Sequence, residues 1–152
     1  MQPRLLRRAF MAATVVWALA LPVAAYAAGR ASGSPVGALA AALPYLVGTV
    51  ICHQRPERSF QLWAQPLPVC ARCTGIYAGA CLAVLAAAFG SAARVHRARV
   101  AFIVAALPTL ATLAYEWSTA DAPSNTIRAL AALPLGAAIA RVVLTAADDR
   151  VN

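Results

Sequence analysis

A chain of 152 residues that is 62% apolar and 12% charged exceeds the roughly half-apolar composition of soluble domains. This excludes an ordinary water-soluble fold and predicts an all-α integral membrane helical bundle with four or five short transmembrane helices. The formal net charge of +8 comes from thirteen arginines and no lysine against five acids. The arginines lie between apolar runs and form no basic stripe with interleaved aromatics, which excludes a nucleic-acid surface and makes the lipid bilayer their partner.

Arg4, Arg7 and Arg8 precede an apolar run from Ala9 to Ala28, the pattern of a charged n-region before a hydrophobic segment. Ala25-Tyr26-Ala27 has the small-x-small form of a signal-peptidase site, yet the run is long for a signal peptide, so a retained signal-anchor helix is expected. Residues 1–35 therefore separate, as a signal-anchor or signal-peptide-like helix and connector, from a membrane domain at 36–152. Val36 to Ile51 is a second apolar run, interrupted by Pro44 and short for a full crossing.

The polar stretch from Cys52 to Cys73 follows. Pro56 and Glu57 fit a helix start, and Phe60 and Trp63, three residues apart, would then share the apolar face of a short interfacial helix. Thr74 to Ala93 is an uncharged span that opens with Gly75-Ile76-Tyr77-Ala78-Gly79, a GxxxG pattern that permits close helix approach. Arg94, His96, Arg97 and Arg99 form a basic turn before a span at Val100 to Trp117. Beyond a polar connector containing Asp121, Ser124 and Asn125, the last span runs from about Ala129 to Ala147 and carries Arg141. If the N-terminus and the basic turn are both cytoplasmic, an even number of crossings separates them, Val36 to Ile51 does not cross, and the cysteine loop lies on the non-cytoplasmic side of a bacterial plasma membrane. A five-span arrangement puts the loop inside. In either case the cysteine loop and the Ser118 to Arg128 connector share one membrane face.

The chemistry-bearing residues concentrate in the loop, as Cys52-His53 and Cys70-Ala71-Arg72-Cys73. One reading is a metal site for zinc or iron with Cys52, His53, Cys70 and Cys73 as ligands, since a CxxC turn wraps two thiolates around a tetrahedral ion. Adjacent residues such as Cys52 and His53 reach one ion only on an irregular turn, and Glu57 or Glu116 is an alternative ligand. A second reading is thiol redox chemistry at Cys70 and Cys73, because a helix N-terminus and Arg72 stabilise a thiolate. A third is a small-anion or lipid-headgroup pocket built from Arg58, Arg72, Asn125 and Arg128. Glu116, near the membrane, calls for an arginine partner. Cys81, within a span, reads as a packing residue.

The run from Cys52 to Phe60, followed by Pro68 to Gly79, resembles the small membrane proteins of the domain-of-unknown-function 2085 family (DUF2085). Ser124-Asn125 with Arg128 and Gly136 resembles that family's second motif. The resemblance spans roughly Cys52 to Arg141 and implies no established activity. It also implies an aspartate in the span before Ser124-Asn125, where this chain has Thr112 and, one turn later, Glu116.

Overall fold

The computed structural model describes residues 3–30, 35–90 and 98–148. Among the described residues there are five α-helices: α1 (Pro3–Arg30), α2 (Pro35–Ile51), α3 (Ala71–Ala88), α4 (Ala98–Thr119) and α5 (Asn125–Asp148). Four of them, α1, α3, α4 and α5, are long and apolar enough to cross a membrane, as the composition predicted, while α2 has 17 residues. The basic turn at Arg94, His96 and Arg97 lies outside the described residues.

The centre of the bundle is the pairing of α3 with α5. Residues Ala71, Gly75, Gly79, Ala83 and Ala87 on α3, and Arg128, Ala132, Gly136, Ala140 and Leu144 on α5, are all buried. Each set recurs every four residues, so each forms one i±4 row, and the two rows, made of glycine and alanine except at Arg128 and Leu144, mesh at close range. The approach is backbone to backbone. A Cβ added at Gly75, Gly79 or Gly136 would fall on the carbonyl oxygen of Ala129, Leu133 or Ile76 respectively. Because contacts advance along both helices together, α3 and α5 run parallel, with α4 making the return crossing. The hydroxyl of Thr109 donates to the Ala131 carbonyl at 3.0 Å and ties α4 to α5.

α1 completes the bundle. Phe10, Met11 and Val15 pack on the cluster formed by Ala83, Val84, Ala87, Ala140 and Leu144, and the Trp17 ring meets Tyr77 of α3 edge-on with centroids 5.8 Å apart. Leu21, Ala24 and Ala25 of α1 are buried. By contrast α4 has no buried residue and turns Phe102, Ile103, Val104, Leu107 and Leu110 outward. Water would oppose such a surface, whereas acyl chains do not, so this face is the lipid-facing one. Arg141 is also on the exposed side of α5; the buried arginine of that helix is Arg128.

The loop between α2 and α3 departs from expectation. Helix formation at Pro56 stops after one 3-10 turn, Pro56–Arg58, because Ser59 is extended (φ −115, ψ 151) and its hydroxyl donates to the Arg55 carbonyl at 3.0 Å. Phe60 and Trp63 therefore do not share a helical face. The next residues form a small antiparallel hairpin instead, β1 (Gln61–Leu62) with β2 (Gln65–Pro66), pairing Gln61 with Pro66 and Leu62 with Gln65. Trp63 and Ala64 make the two-residue turn with φ of 52° and 60°, the left-handed geometry that matches strand twist. Two side chains without glycine's freedom hold that geometry. The Trp63 ring packs edge-on against Tyr26 of α1 at 5.2 Å, and Arg30 lies over the same Tyr26 ring.

Candidate functional site

Two clusters form where the α2–α3 loop meets the starts of α3 and α5. The first contains the cysteines. α2 ends with the Cys52 N–H bonded to the Gly48 carbonyl at 2.8 Å, and Gln54, with φ of 46°, then turns the chain back, which supplies the irregular turn that a Cys52-His53 pair requires. Cys70 is the N-cap residue of α3, in extended conformation, and Cys73 lies in the first turn. This brings Cys52, Cys70 and Cys73 together, with the three sulfurs all within 4.8 Å of one another. The backbone N–H of Cys70 donates to the Cys52 sulfur at 3.2 Å. All four cysteines are free thiols, and Cys81 stands apart from the group, further along α3.

Local electrostatics favour charge on one of these sulfurs, that of Cys70. The Cys70 thiol lies well below its ordinary titration range because the Cys73 thiol donates to it; the Cys73 backbone N–H, Cys52 and the nearby His53 add to the effect, while burial opposes it. The N-terminal end of α3 points the same way. His53 itself is exposed and is outside the sulfur group. Its Nδ1 accepts the Arg55 backbone N–H at 3.2 Å, so a neutral ring in this position carries its proton on Nε2 and has no free lone pair.

The approach of Cys52 to Cys70 is held by residues whose role was hidden in the sequence. The Gln54 side-chain amide donates to the carbonyls of Tyr45 and Pro68, both at 2.7 Å. Tyr45 reaches across to donate its hydroxyl to the Pro66 carbonyl. Gly48 makes room for this bridge, since a Cβ there would strike the Gln54 amide and the Pro68 carbonyl oxygen. A glycine four residues before the first cysteine was the available signal, and in an alanine-rich helix it does not stand out. Gln54→Ala is expected to cost about 1 to 2 kcal/mol by stranding two carbonyls. It should also lower the yield of oxidative Cys52–Cys70 crosslinking, read by peptide mass spectrometry; an unchanged yield would mean that Gln54 does not set the approach.

The second cluster is ionic. Glu116, near the end of α4, receives Arg58 from the loop at 2.7 Å, Arg72 from the CxxC turn at 2.8 Å and Arg128 from the first turn of α5 at 3.2 Å. Arg58 and Arg128 share Oε1, and Arg72 takes Oε2. The arginine partner that Glu116 required is thus three arginines. Asn125 links the parts: its amide donates to the buried Ser59 carbonyl at 3.1 Å, and its Oδ1 accepts Arg128 Nη1 at 3.3 Å. Arg58, Arg72, Asn125 and Arg128 do converge, then, but around a carboxylate. Thr112, one turn earlier on α4, donates to its own helix at the Thr109 carbonyl and takes no part. Glu57 is exposed and belongs to neither cluster.

Arg72 lies between Cys70 and Cys73 in sequence and so joins the two clusters through one helical turn. What the arrangement can do chemically is limited to what these groups offer. Three sulfurs can hold a thiophilic ion or exchange electrons, and a guanidinium-rich patch can hold an anion. No curated protein and no solved structure matches the chain. Residues 52–142, more than half of the chain and containing every member of both clusters, match the family described as predicted membrane protein (DUF2085), and the chain belongs to that family.

Proposed function

We propose that this integral membrane protein binds a thiophilic metal ion, zinc or iron, at one membrane face, through Cys52, Cys70 and Cys73 with His53 as the fourth ligand. The observation that carries the reading is the mutual approach of three sulfurs to within 4.8 Å. A tetrahedral ion with metal–sulfur bonds of about 2.3 Å spaces its sulfurs by about 3.8 Å, so a small contraction of the group suffices. The Cys70 N–H to the Cys52 sulfur is the type of outer hydrogen bond that orients a ligating thiolate. His53 joins by giving up its bond to Arg55 and presenting a ring nitrogen; being exposed, it can move at little cost. Its contribution is therefore smaller than that of any cysteine.

The lowered Cys70 thiol beside Cys73 supports a second reading, in which these two cysteines cycle between dithiol and disulfide, passing two electrons and two protons to an acceptor such as a quinone. Elemental analysis of the detergent-purified chain, alongside a thiol count with and without reductant, separates the two. The metal reading expects about one zinc or iron per chain, lost in Cys70→Ser and weakened about tenfold in His53→Ala. Absence of metal, with two thiols appearing only after reduction, would reject it and leave a redox-cycling pair or a structural disulfide, which turnover with a quinone acceptor tells apart.

A further inference from the structure

We propose that Arg58, Arg72 and Arg128 form a binding site for a phosphate-type oxyanion, in which Glu116 holds the three guanidiniums together and tunes the affinity. The inference does not depend on the metal centre.

Three guanidiniums against one carboxylate leave a formal surplus of two positive charges, and no second carboxylate pairs with them among the described residues. The Arg72 and Arg128 side chains are only 14% and 4% exposed, so bulk water screens the surplus poorly. Both arginines stand in the first turn of a long helix, α3 or α5, whose N-terminal ends add further positive potential. An oxyanion carrying one or two negative charges supplies the counter-charge that this arrangement lacks.

Each guanidinium has five N–H groups; Arg58 and Arg72 each engage Glu116 through Nη2, and Arg128 spends Nη2 on Glu116 and Nη1 on Asn125. The Nε atoms of Arg72 and Arg128 are buried with no acceptor, a condition native structures seldom tolerate. Planar forks arriving from a loop and from two helices suit a tetrahedral oxyanion better than a halide, because each fork can take two oxygens. Arg58, one third exposed, is the entrance. The same chemistry is offered by free phosphate and by the headgroup of an anionic phospholipid, and the position at the ends of membrane helices gives access to both.

The test uses the full chain in detergent and phosphate-free chloride buffer, following thermal unfolding. Inorganic phosphate, compared with chloride at equal ionic strength, is expected to raise the unfolding temperature saturably; Arg58→Gln should weaken the apparent affinity about tenfold or more. Glu116→Gln should strengthen it by a similar factor, because the resident carboxylate competes for the same donors. Stabilisation by micelles containing phosphatidylglycerol but not phosphatidylcholine, with free phosphate inert and the effect lost in Arg58→Gln, assigns the site to a lipid headgroup and equally supports the proposal. Absence of any response to phosphate or phosphatidylglycerol in the native chain overturns it, and this comparison decides the matter even if Arg58→Gln fails to fold. Equal responses in the native chain and both variants also overturn it, since the anion would then bind elsewhere.

Discussion

Glu116→Gln is expected to lower the stability of the chain by about 3 kcal/mol in phosphate-free buffer, measured by denaturant titration in detergent. The carboxylate is 10% exposed and is the common acceptor for Arg58, Arg72 and Arg128. The neutral amide keeps the shape but leaves three guanidiniums facing one another without a counter-charge; breaking a fully buried ion pair from one side costs about 3 to 5 kcal/mol, and this cluster is only partly buried. The lower end applies because Arg58 remains partly in water, where repulsion is screened. The double variant Arg58→Gln with Glu116→Gln removes one of the repelling charges and should recover about 1 kcal/mol relative to Glu116→Gln alone, a coupling of the size found between groups in contact. Native-like stability of Glu116→Gln would mean that the arginines find other partners and that the carboxylate does not organise the cluster.

Gly79→Leu should be at least as damaging, with an expected loss of about 3 kcal/mol or more. The obstruction at this position is the Leu133 carbonyl of α5, with the Ala137 backbone nitrogen close behind. Backbone atoms cannot rotate aside as a flexible side chain can, so α3 and α5 must separate along their whole shared row. That separation would also displace Arg72 from Arg128 and loosen the first turn of α3, where Cys73 lies. The control is Leu82→Ala, at an outward-facing position of the same helix, which should change stability by no more than about 0.5 kcal/mol. If the two variants unfold alike, the α3–α5 contact is not the centre of the bundle.

Much of the architecture was legible because bilayer solvation imposes a strong and local requirement. An uninterrupted apolar stretch near twenty residues has few options other than a helix, and the spans beginning near Ala9, Thr74, Val100 and Ala129 each emerged as one, with ends shifted by a few residues. The GxxxG at Gly75 and Gly79 indicated close packing but not its partner. That partner is the row through Gly136, more than fifty residues away, and no local pattern connects the two. The loop was legible in composition and illegible in shape. Proline and glutamate at 56 and 57 favour a helix start, yet Ser59 capped the turn early and the Trp63–Ala64 reversal, braced by Tyr26 of α1, produced a hairpin. Such a reversal is decided by a contact across the bundle and not by the propensities of the residues that make it.

The sites divide in the same way. Residue identity and spacing determined that Cys52, Cys70, Cys73 and the arginines were the groups with chemistry to offer, since thiols and guanidiniums are scarce and conspicuous in an apolar chain. Only the tertiary structure decided their grouping. It placed three sulfurs together while leaving His53 facing outward, because Gln54 bridges the end of α2 to Pro68 and so fixes Cys52 but not its neighbour. It also gathered Arg58, Arg72 and Arg128 onto a single acid of α4, because a charge at the edge of a membrane gains more from an adjacent opposite charge than from solvent at a distance. Composition and hydrophobic run length therefore determined the helices and their medium, which depend on local solvation. The partners of each polar group depend on which helix ends meet in space, and that was decided by the close meshing of α3 with α5 and the folding of the loop against them.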